Sequence, residues 1–289
     1  MTRARRNLLP YALLAPGLLW LLIFFAVPLY YMAEISLKTG TLETGYSMTW
    51  HFQTYVDAVK NYDEQLLRSF EYAGLSTLIS LLISFPLAYV IAFRGGKYKN
   101  ALLLLVILPF FITYLVRTLS WQTILDDDGW IVSFLKTIGL LGDDGRLLAT
   151  STAVIAGITY NYLPFMILPL YAALERIDPR MLEAGYDLYG KRRDVIMRVV
   201  VPMATPGIVA GVLLTFIPAA GDFVNAELLG TPQTTMIGNV IQSRYLEITD
   251  YPTAAALSFI LMILILVLVL AYARFVGTEA LTGAEEEPA

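Results

Sequence analysis

The sequence predicts an all-α integral membrane protein with six transmembrane helices, and two observations predict this class. The composition is the first: 57% of the 289 residues are hydrophobic, 15% are charged and the mean hydropathy is +0.64. These values are far more apolar than those of a soluble domain. The second is a set of six apolar segments of about twenty residues, each long enough to cross a hydrocarbon core of about 30 Å as a helix.

The six predicted helices account for about half of the chain. They lie at residues 12–33, 70–93, 101–122, 152–174, 207–226 and 253–275. Arg3, Arg5 and Arg6 precede the first segment, as basic residues precede the apolar part of a signal peptide. The apolar run is too long for a signal peptide and no small-residue cleavage site follows it, so we expect the segment to be retained as a helix.

The distribution of Lys and Arg predicts the orientation of these helices. If the N-terminus lies inside the cell, the inner segments carry thirteen of the twenty basic residues and the outer segments carry seven. Because basic residues accumulate in cytoplasmic loops, both termini and the central loop at residues 175–206 are expected in the cytoplasm. The chain then divides into a cytoplasmic N-terminus at residues 1–11, a transmembrane domain at 12–276 and an acidic tail at 277–289, which we expect to be disordered.

The central loop has the pattern of two short helices joined at a glycine. Asp178 followed by Pro179 is typical of a helix start, because the aspartate side chain can cap free N–H groups and proline has no N–H to lose. Gly190 is expected to break this helix and to form an elbow. Apolar residues at helical spacing follow it until Pro202 and Pro206, which we expect to interrupt the second helix.

The two long outer connections are expected to be structured. Residues 34–69 are too aromatic for a disordered linker. Residues 123–151 contain an apolar pattern that predicts a short helix lying at the membrane surface. Three adjacent acids in this connection form either a solvated turn or a negative rim that gathers cations. They are Asp126, Asp127 and Asp128.

The sequence lacks the residues that several enzyme classes need. It contains no cysteine and one histidine, His51, so disulfides cannot form and a zinc-dependent hydrolase lacks its ligands. No Walker A sequence is present, which excludes ATP binding by that route. We therefore expect a non-catalytic chain with no metal site and no cofactor of its own, and with no nucleic acid among its partners.

Polar residues within or beside the apolar segments are the candidates for a transport pathway, because burying such residues is costly. Asp222 and Glu227 carry charge, and Tyr160, Tyr162 and Trp121 offer aromatic faces for cation–π contacts of about 0.5–2 kcal/mol each. These residues would suit a polycationic solute. Two alternatives stay open: Asp222 lies in the outer headgroup layer, and the aromatic residues form the interfacial belt seen in most membrane proteins.

The central loop resembles the EAA loop of bacterial ABC-importer permeases, in which a cytoplasmic coupling helix lies in a groove on the ATPase subunit. The resemblance rests on Glu183, Ala184, Asp187, Leu188 and, nineteen residues after the glutamate, Pro202. Gly185 replaces the usual second alanine, and Tyr189 stands where the family has glycine, with Gly190 one place later. The resemblance implies an ATPase-coupling surface made of Glu183, Ala184, Gly185, Asp187, Leu188, Gly190 and Pro202.

Four further stretches look like the permeases of spermidine/putrescine importers, specifically the first of their two paired membrane subunits. They are WQTILDDDGW at residues 121–130, YLPFMILPLYAALERID at 162–178, FIPAAGDFVNAELLG at 216–230 and MIGNVIQ at 236–242. This resemblance implies a type I ABC-importer permease fold in the bacterial inner membrane. It also implies a complex of two different permeases, two copies of an ATPase that uses ATP and Mg²⁺, and an external solute-binding protein.

Other functions stay open as alternatives. Permeases for opines, phosphonates, thiamine and ferric iron share much of the same pattern. A proton- or sodium-coupled carrier could use Asp222 for coupling, although the sequence lacks the internal symmetry that such carriers usually show. A membrane-embedded enzyme would need nucleophile and base residues that the sequence does not supply.

Overall fold

The computed structural model describes residues 13–276. The predicted cytoplasmic N-terminus and the predicted acidic tail at residues 277–289 lie outside the described residues. Within the described part the chain is mostly helical, and its β structure is a two-stranded hairpin. Five of the described helices are long and apolar enough to cross a membrane, and a sixth span results if one bent helix pair is counted as a single span.

The described chain begins with an apolar helix and the hairpin. Helix α1 spans Leu13–Ser36. A π turn at Leu22–Ala26 directly precedes the turn that contains Pro28, and such local adjustments accommodate prolines in membrane helices. Strands β1 (Lys38–Thr41) and β2 (Gly45–Met48) pair antiparallel. The connection after the first helix, at residues 34–69, is therefore structured, as predicted.

Helix α2 spans Gln53–Arg94 and begins well before the predicted segment at residues 70–93. Tyr62 has non-helical backbone angles (φ −131°, ψ 21°), so the helix is kinked at this residue. The additional N-terminal part is rich in polar side chains. Hydropathy did not reveal this part because a helix can carry polar residues wherever they face water.

The next apolar segment is bent. Helix α3 (Lys99–Ile107) leads into a 3₁₀ turn that contains Pro109, the following two residues are extended, and helix α4 (Tyr114–Leu125) starts in a new direction. The longer segments that contain these helices, Gly96–Phe111 and Tyr114–Thr137, meet at an angle of 93°. The helix predicted at residues 101–122 is therefore interrupted at residues 112–113, and it provides the sixth span when the bent pair is counted as one. The two extended residues are β-branched, and β-branched side chains favour extended backbone over helix.

Helix α5 (Trp130–Thr137) is the short helix predicted in the second outer connection. The acidic turn before it is tied to the loop that follows it, because Asp127 Oδ2 accepts hydrogen bonds from Arg146 Nε at 2.9 Å and from Arg146 Nη2 at 2.6 Å. Both side chains face solvent. This arrangement favours the solvated turn over a cation-gathering rim.

Helix α6 (Ser151–Glu175) follows, and Thr150 caps its start by accepting a hydrogen bond from the Ala153 amide at 3.2 Å. The central loop then begins with helix α7, which spans Pro179–Tyr189. Asp178 caps α7 as predicted. Its Oδ1 accepts a 2.9 Å hydrogen bond from the Arg180 amide.

The second predicted short helix of the central loop is instead the start of a long one. Helix α8 spans Arg192–Ala220, and the predicted interruption at Pro202 and Pro206 is wrong because both prolines lie inside it. A π turn at Ile196–Val200 ends two residues before the first of these prolines. Such a turn changes the hydrogen-bond register locally, so the helix continues past residues that lack an N–H group.

The last part of the chain contains shorter helices before the final span. Helix α8 ends at Ala220, so the prediction of a helix over 207–226 is wrong at its C-terminal end. Helices α9 (Val224–Leu229), α10 (Ile237–Leu246) and α11 (Tyr251–Val276) follow. Gly221 ends α8, and Asp222 accepts a hydrogen bond that helps to start α9, as described below.

The chain divides into two compact units. One contains the residues up to Asp63 together with Val240–Met262. In this unit the ring of Tyr46 on β2 lies 5.6 Å from the ring of Tyr251, and its hydroxyl donates to the Thr249 carbonyl at 2.5 Å. These contacts attach the hairpin to the segment that begins α11.

The other unit contains Glu64–Asn239 together with the residues from Ile263 onward. Two hydrophobic clusters lie along α6, and α8 packs closely against α6. Leu170 and Leu174 belong to the cluster that also holds Leu182 of α7. The centre of this unit thus connects the transmembrane helices directly to the base of the central loop.

Candidate functional site

A buried group of polar side chains lies where three helices of the larger unit meet. We call it the polar cluster, and it consists of Tyr114, Thr118, Asn161, Asp222 and Asn225. The side chains come from α4, α6, α9 and the turn between α8 and α9. Asp222 is 5% exposed. An ionisable side chain buried among transmembrane helices is a strong candidate for function, because its burial is costly.

The carboxylate of Asp222 is held by neutral donors. The hydroxyl of Tyr114 donates to Asp222 Oδ2. Asn225 donates two hydrogen bonds of 2.9 Å each to this carboxylate. Its backbone N–H donates to Asp222 Oδ1, and its side-chain Nδ2 donates to Asp222 Oδ2. The Asn225 amide lies at the start of α9, so this aspartate also satisfies a free N–H group at a helix start.

The cluster continues toward α6 through Asn161, whose Nδ2 lies 3.2 Å from both Asn225 Oδ1 and Thr118 Oγ1. The carboxamide oxygen Oδ1 of Asn161 is buried without a hydrogen-bond partner among the described residues. A buried acceptor without a partner costs about 1–3 kcal/mol. The cluster therefore has unused capacity to accept one further hydrogen bond.

Of the residues predicted for the pathway, the structure places Tyr162 beside Asp222. The other three, Trp121, Tyr160 and Glu227, lie elsewhere. The ring of Tyr162 lies 6.1 Å from that of Tyr114. Tyr160 and Trp121 pair with each other at 5.4 Å and line a mostly apolar groove of about 450 Å³ between α2, α4 and α6. Glu227 is exposed and accepts a 3.0 Å hydrogen bond from Asn239 Nδ2.

Sequence reasoning missed several members of this site. Tyr114 and Asn225 were overlooked because each is an ordinary polar residue until its partner is known. Arg117 gave a usable signal, since it is the single charged residue between positions 101 and 122. The structure shows that it is 6% exposed and one turn from Tyr114 on α4.

Five of the seven residues predicted for the coupling surface lie on α7, which is amphipathic, whereas Gly190 directly follows this helix and Pro202 lies on α8. Leu182 and Gly185 are buried, whereas Glu183, Ala184, Asp187 and Leu188 are exposed. Gly190 has φ +67°, the left-handed conformation that favours glycine at the end of a helix. The helix therefore presents one charged and apolar face outward and ends at a sharp elbow.

The glycine at position 185 has a packing reason. A β carbon there would lie 3.2 Å from Val195 Cγ1 and 3.3 Å from Val199 Cγ2, both on α8. These distances are tight for carbon atoms in van der Waals contact. Gly185 thus allows α7 and the start of α8 to approach closely, and this contact holds the exposed face of α7 in place.

Among the described residues, no group of three or more His, Cys, Asp or Glu side chains is arranged to hold a metal ion. The polar cluster contains one carboxylate, two carboxamides and two hydroxyls. Such a set can hold a charged or hydrogen-bonding solute.

Comparison with known proteins identifies the family. The family described as binding-protein-dependent transport system inner membrane component matches residues 84–277, which include both the polar cluster and α7. PotB, the spermidine/putrescine transport system permease protein of Haemophilus influenzae, is 36% identical over 256 residues, covering 88% of this chain and 90% of that protein. PotB of Escherichia coli is 34% identical over 256 residues, covering 88% and 93% of the two chains.

A solved structure supports the same fold. A bacterial alginate ABC transporter, in complex with an alginate pentasaccharide-bound periplasmic protein, contains a chain that aligns with a TM-score of 0.67 and 22% identity. The alignment covers 96% of this chain and 95% of the other. The predicted fold class and family resemblance are confirmed, as is the prediction of a transport subunit that is not an enzyme. This chain belongs to the binding-protein-dependent transport system inner membrane components and is a multi-pass permease subunit of an ABC importer.

Proposed function

We propose that this permease forms half of the translocation pathway of a polyamine importer and that a second, homologous permease forms the other half. An external solute-binding protein delivers spermidine or putrescine, and two copies of an ATPase that uses ATP and Mg²⁺ drive import. The observation that carries the substrate class is the similarity to two PotB proteins, each over 88% of this chain.

The polar cluster gives this substrate class physical support. A protonated amine needs a negative charge and acceptor oxygens once it leaves water, because an unpaired charge in an apolar interior is costly. Asp222 supplies the charge, and Asn161 Oδ1 is an acceptor without a partner. The rings of Tyr114 and Tyr162 offer faces for cation–π contact.

We also assign contact with the ATPase to α7, and the translocation pathway for the solute to the residues that the sequence predicted for it. Glu183, Ala184, Asp187 and Leu188 form the outward face that meets the ATPase, with Gly185, Gly190 and Pro202 setting its geometry. Asp222 and Tyr162 contact the solute inside the membrane, whereas Trp121, Tyr160 and Glu227 flank the route. Both termini and α7 lie in the cytoplasm of a bacterial cell, as the excess of basic residues on that side indicates.

Reconstitution tests the substrate and the energy source together. The complete complex is placed in proteoliposomes with ATP inside and the loaded binding protein outside, and uptake of labelled spermidine is measured. We expect uptake that requires ATP and stops with vanadate. Uptake that survives vanadate would instead indicate a secondary carrier. ATPase stimulation by a thiamine-, phosphonate-, opine- or iron-loaded binding protein, without stimulation by the polyamine-loaded one, would overturn the substrate class.

The orientation can be tested in the same membranes, because the chain has no cysteine. Single cysteines are introduced at the exposed positions Leu188 and Trp130. In intact cells a membrane-impermeant maleimide should label Trp130→Cys and should reach Leu188→Cys only after permeabilisation. The reverse pattern would place α7 outside the cell and exclude its contact with the ATPase.

A further inference from the structure

A second buried ionisable side chain, Arg117, lies beside the polar cluster and forms no ion pair with any residue that the structure describes. Arg117 is 6% exposed, and its Nε and Nη1 have no hydrogen-bond partner among the described residues. Its guanidinium carbon instead lies 5.3 Å from the ring centre of Phe110 and 5.6 Å from that of Tyr114. Two aromatic faces attract a cation only weakly, so most of the hydrogen-bonding capacity of this guanidinium is unused.

Asp222 is the complementary case. Every hydrogen bond that the structure gives its carboxylate comes from a neutral group, and no basic side chain of the described chain forms an ion pair with it. A basic and an acidic side chain are thus buried in one region, and the structure shows no ion pair for either of them within residues 13–276. A buried charge without a counter-ion is strongly unfavourable, whereas pairing recovers much of that cost.

One side chain separates the two charges. The ring of Tyr114 faces Arg117, and its hydroxyl donates to Asp222. Tyr114 is the first residue of α4, immediately after the 93° bend, and Arg117 lies one turn later on the same helix. Any movement of α4 about the bend therefore shifts Tyr114 and Arg117 together relative to Asp222.

We propose that Arg117 is a tethered competitor for the transported cation at Asp222. While Tyr114 donates to the aspartate, Arg117 does not reach the carboxylate, and its guanidinium contacts aromatic rings but no acidic group of the described residues. When a substrate ammonium displaces Tyr114 and α4 moves, the guanidinium can reach the carboxylate. It then forms a charge-assisted hydrogen bond in place of the ammonium, and the substrate is released. This inference rests on the proposed function, since it requires a cationic solute.

The test measures release of the bound substrate and its transport across the membrane as two separate quantities. Arg117→Gln removes the competing charge and retains hydrogen-bonding groups. The measurement is the half-time for release of labelled spermidine from the vanadate-trapped complex in detergent, together with the maximal uptake rate in proteoliposomes. We expect release to slow by about tenfold, at the lower end of what a charge-assisted contact is worth, and uptake to fall in parallel. Arg117→Lys keeps the charge and should release substrate at nearly the wild-type rate.

Two controls keep the outcome specific. Arg146→Gln removes an exposed arginine from a surface ion pair and should change neither quantity. In a background of Asp222→Asn, adding Arg117→Gln should not slow release any further, because the carboxylate that the two cations compete for is gone. A further slowing in that background would overturn the proposal.

Other outcomes also decide the question. If Arg117→Gln lowers uptake without slowing release, Arg117 has only a structural role and the inference is wrong while the polyamine function stands. If the glutamine variant does not assemble, Arg117→Met carries the same test. If both neutral variants fail to assemble while Arg117→Lys assembles normally, the positive charge is needed for folding. That result would overturn the inference. If wild-type complex retains no spermidine at all, the proposed function itself fails.

Discussion

Gly207 on α8 lies directly against the backbone of Pro169 on α6: a β carbon added to the glycine would lie 2.7 Å from the proline carbonyl oxygen and 2.5 Å from Ala173 Cβ. Backbone atoms cannot move aside as a flexible side chain can. The close approach of α6 and α8 therefore depends on the absence of a side chain at this position. Since α6 carries Asn161 and α8 leads to Asp222, the packing of these two helices joins two of the elements that carry the polar cluster.

The first prediction is that Gly207→Ala destabilises the protein by about 1–3 kcal/mol, as overpacking of a tight core does. The measurement is thermal unfolding of the detergent-solubilised chain. Gly74→Ala is the matched control, because a β carbon at Gly74 meets nothing within 4 Å. That change should be neutral or slightly stabilising, since alanine favours helix over glycine. Equal unfolding temperatures for the two variants would contradict the close contact.

The second prediction concerns the elbow at Gly190. Gly190→Val should lower the yield of assembled complex, because left-handed backbone costs an L-residue about 1–2 kcal/mol and a β-branched residue more. A β carbon at this position meets no neighbour within 4 Å, so the effect isolates backbone strain from packing. Gly190→Asn is the control, since asparagine tolerates this conformation best among the L-residues. If the valine and asparagine variants assemble equally, the elbow does not need positive φ.

The third prediction tests the exposed face of α7. Glu183→Lys reverses a charge on the surface that we propose meets the ATPase, so ATP hydrolysis should no longer respond to loaded binding protein. The chain should still fold, because Glu183 is exposed. Glu43→Lys makes the same reversal in the exposed hairpin turn and should preserve the stimulation. Normal uptake and normal stimulation in Glu183→Lys would refute the coupling role.

The fourth prediction concerns Asp222. Asp222→Asn keeps the size of the side chain and an oxygen that can accept from Asn225, but it removes the negative charge. A charge-assisted contact is worth about 1.5–3 kcal/mol, so polyamine uptake should fall on the order of ten- to a hundredfold. Ligand binding to the isolated binding protein should not change.

Matched membrane levels are needed for this comparison, and Asp127→Asn serves as a control because it neutralises an exposed aspartate outside the cluster. Uptake by Asp222→Asn within twofold of wild type would exclude a pathway role for the carboxylate. The polyamine assignment would then rest on the similarity to PotB alone.

Several features of this protein follow from short stretches of sequence. The caps at Asp178 and Gly190 were predictable because they depend on residues a few positions away. The existence of the apolar spans was predictable as well, since about twenty apolar residues are sufficient to cross the membrane whatever they pack against. The EAA-like spacing around Glu183 identified the family for the same reason, as it lies within a single loop.

The shape of the spans and the composition of the polar cluster were decided by tertiary structure. Helix α8 continues through Pro202 and Pro206, and a π turn lies just before the first of these prolines. In contrast, the span predicted at residues 101–122 bends by 93° after Pro109. Tyr114 reaches Asp222 across 108 positions of sequence. The sequence alone determined which segments can enter the membrane, because transfer from water depends on composition. The partners of each buried ionisable side chain depend on which helices pack together, and only the tertiary structure determines that packing.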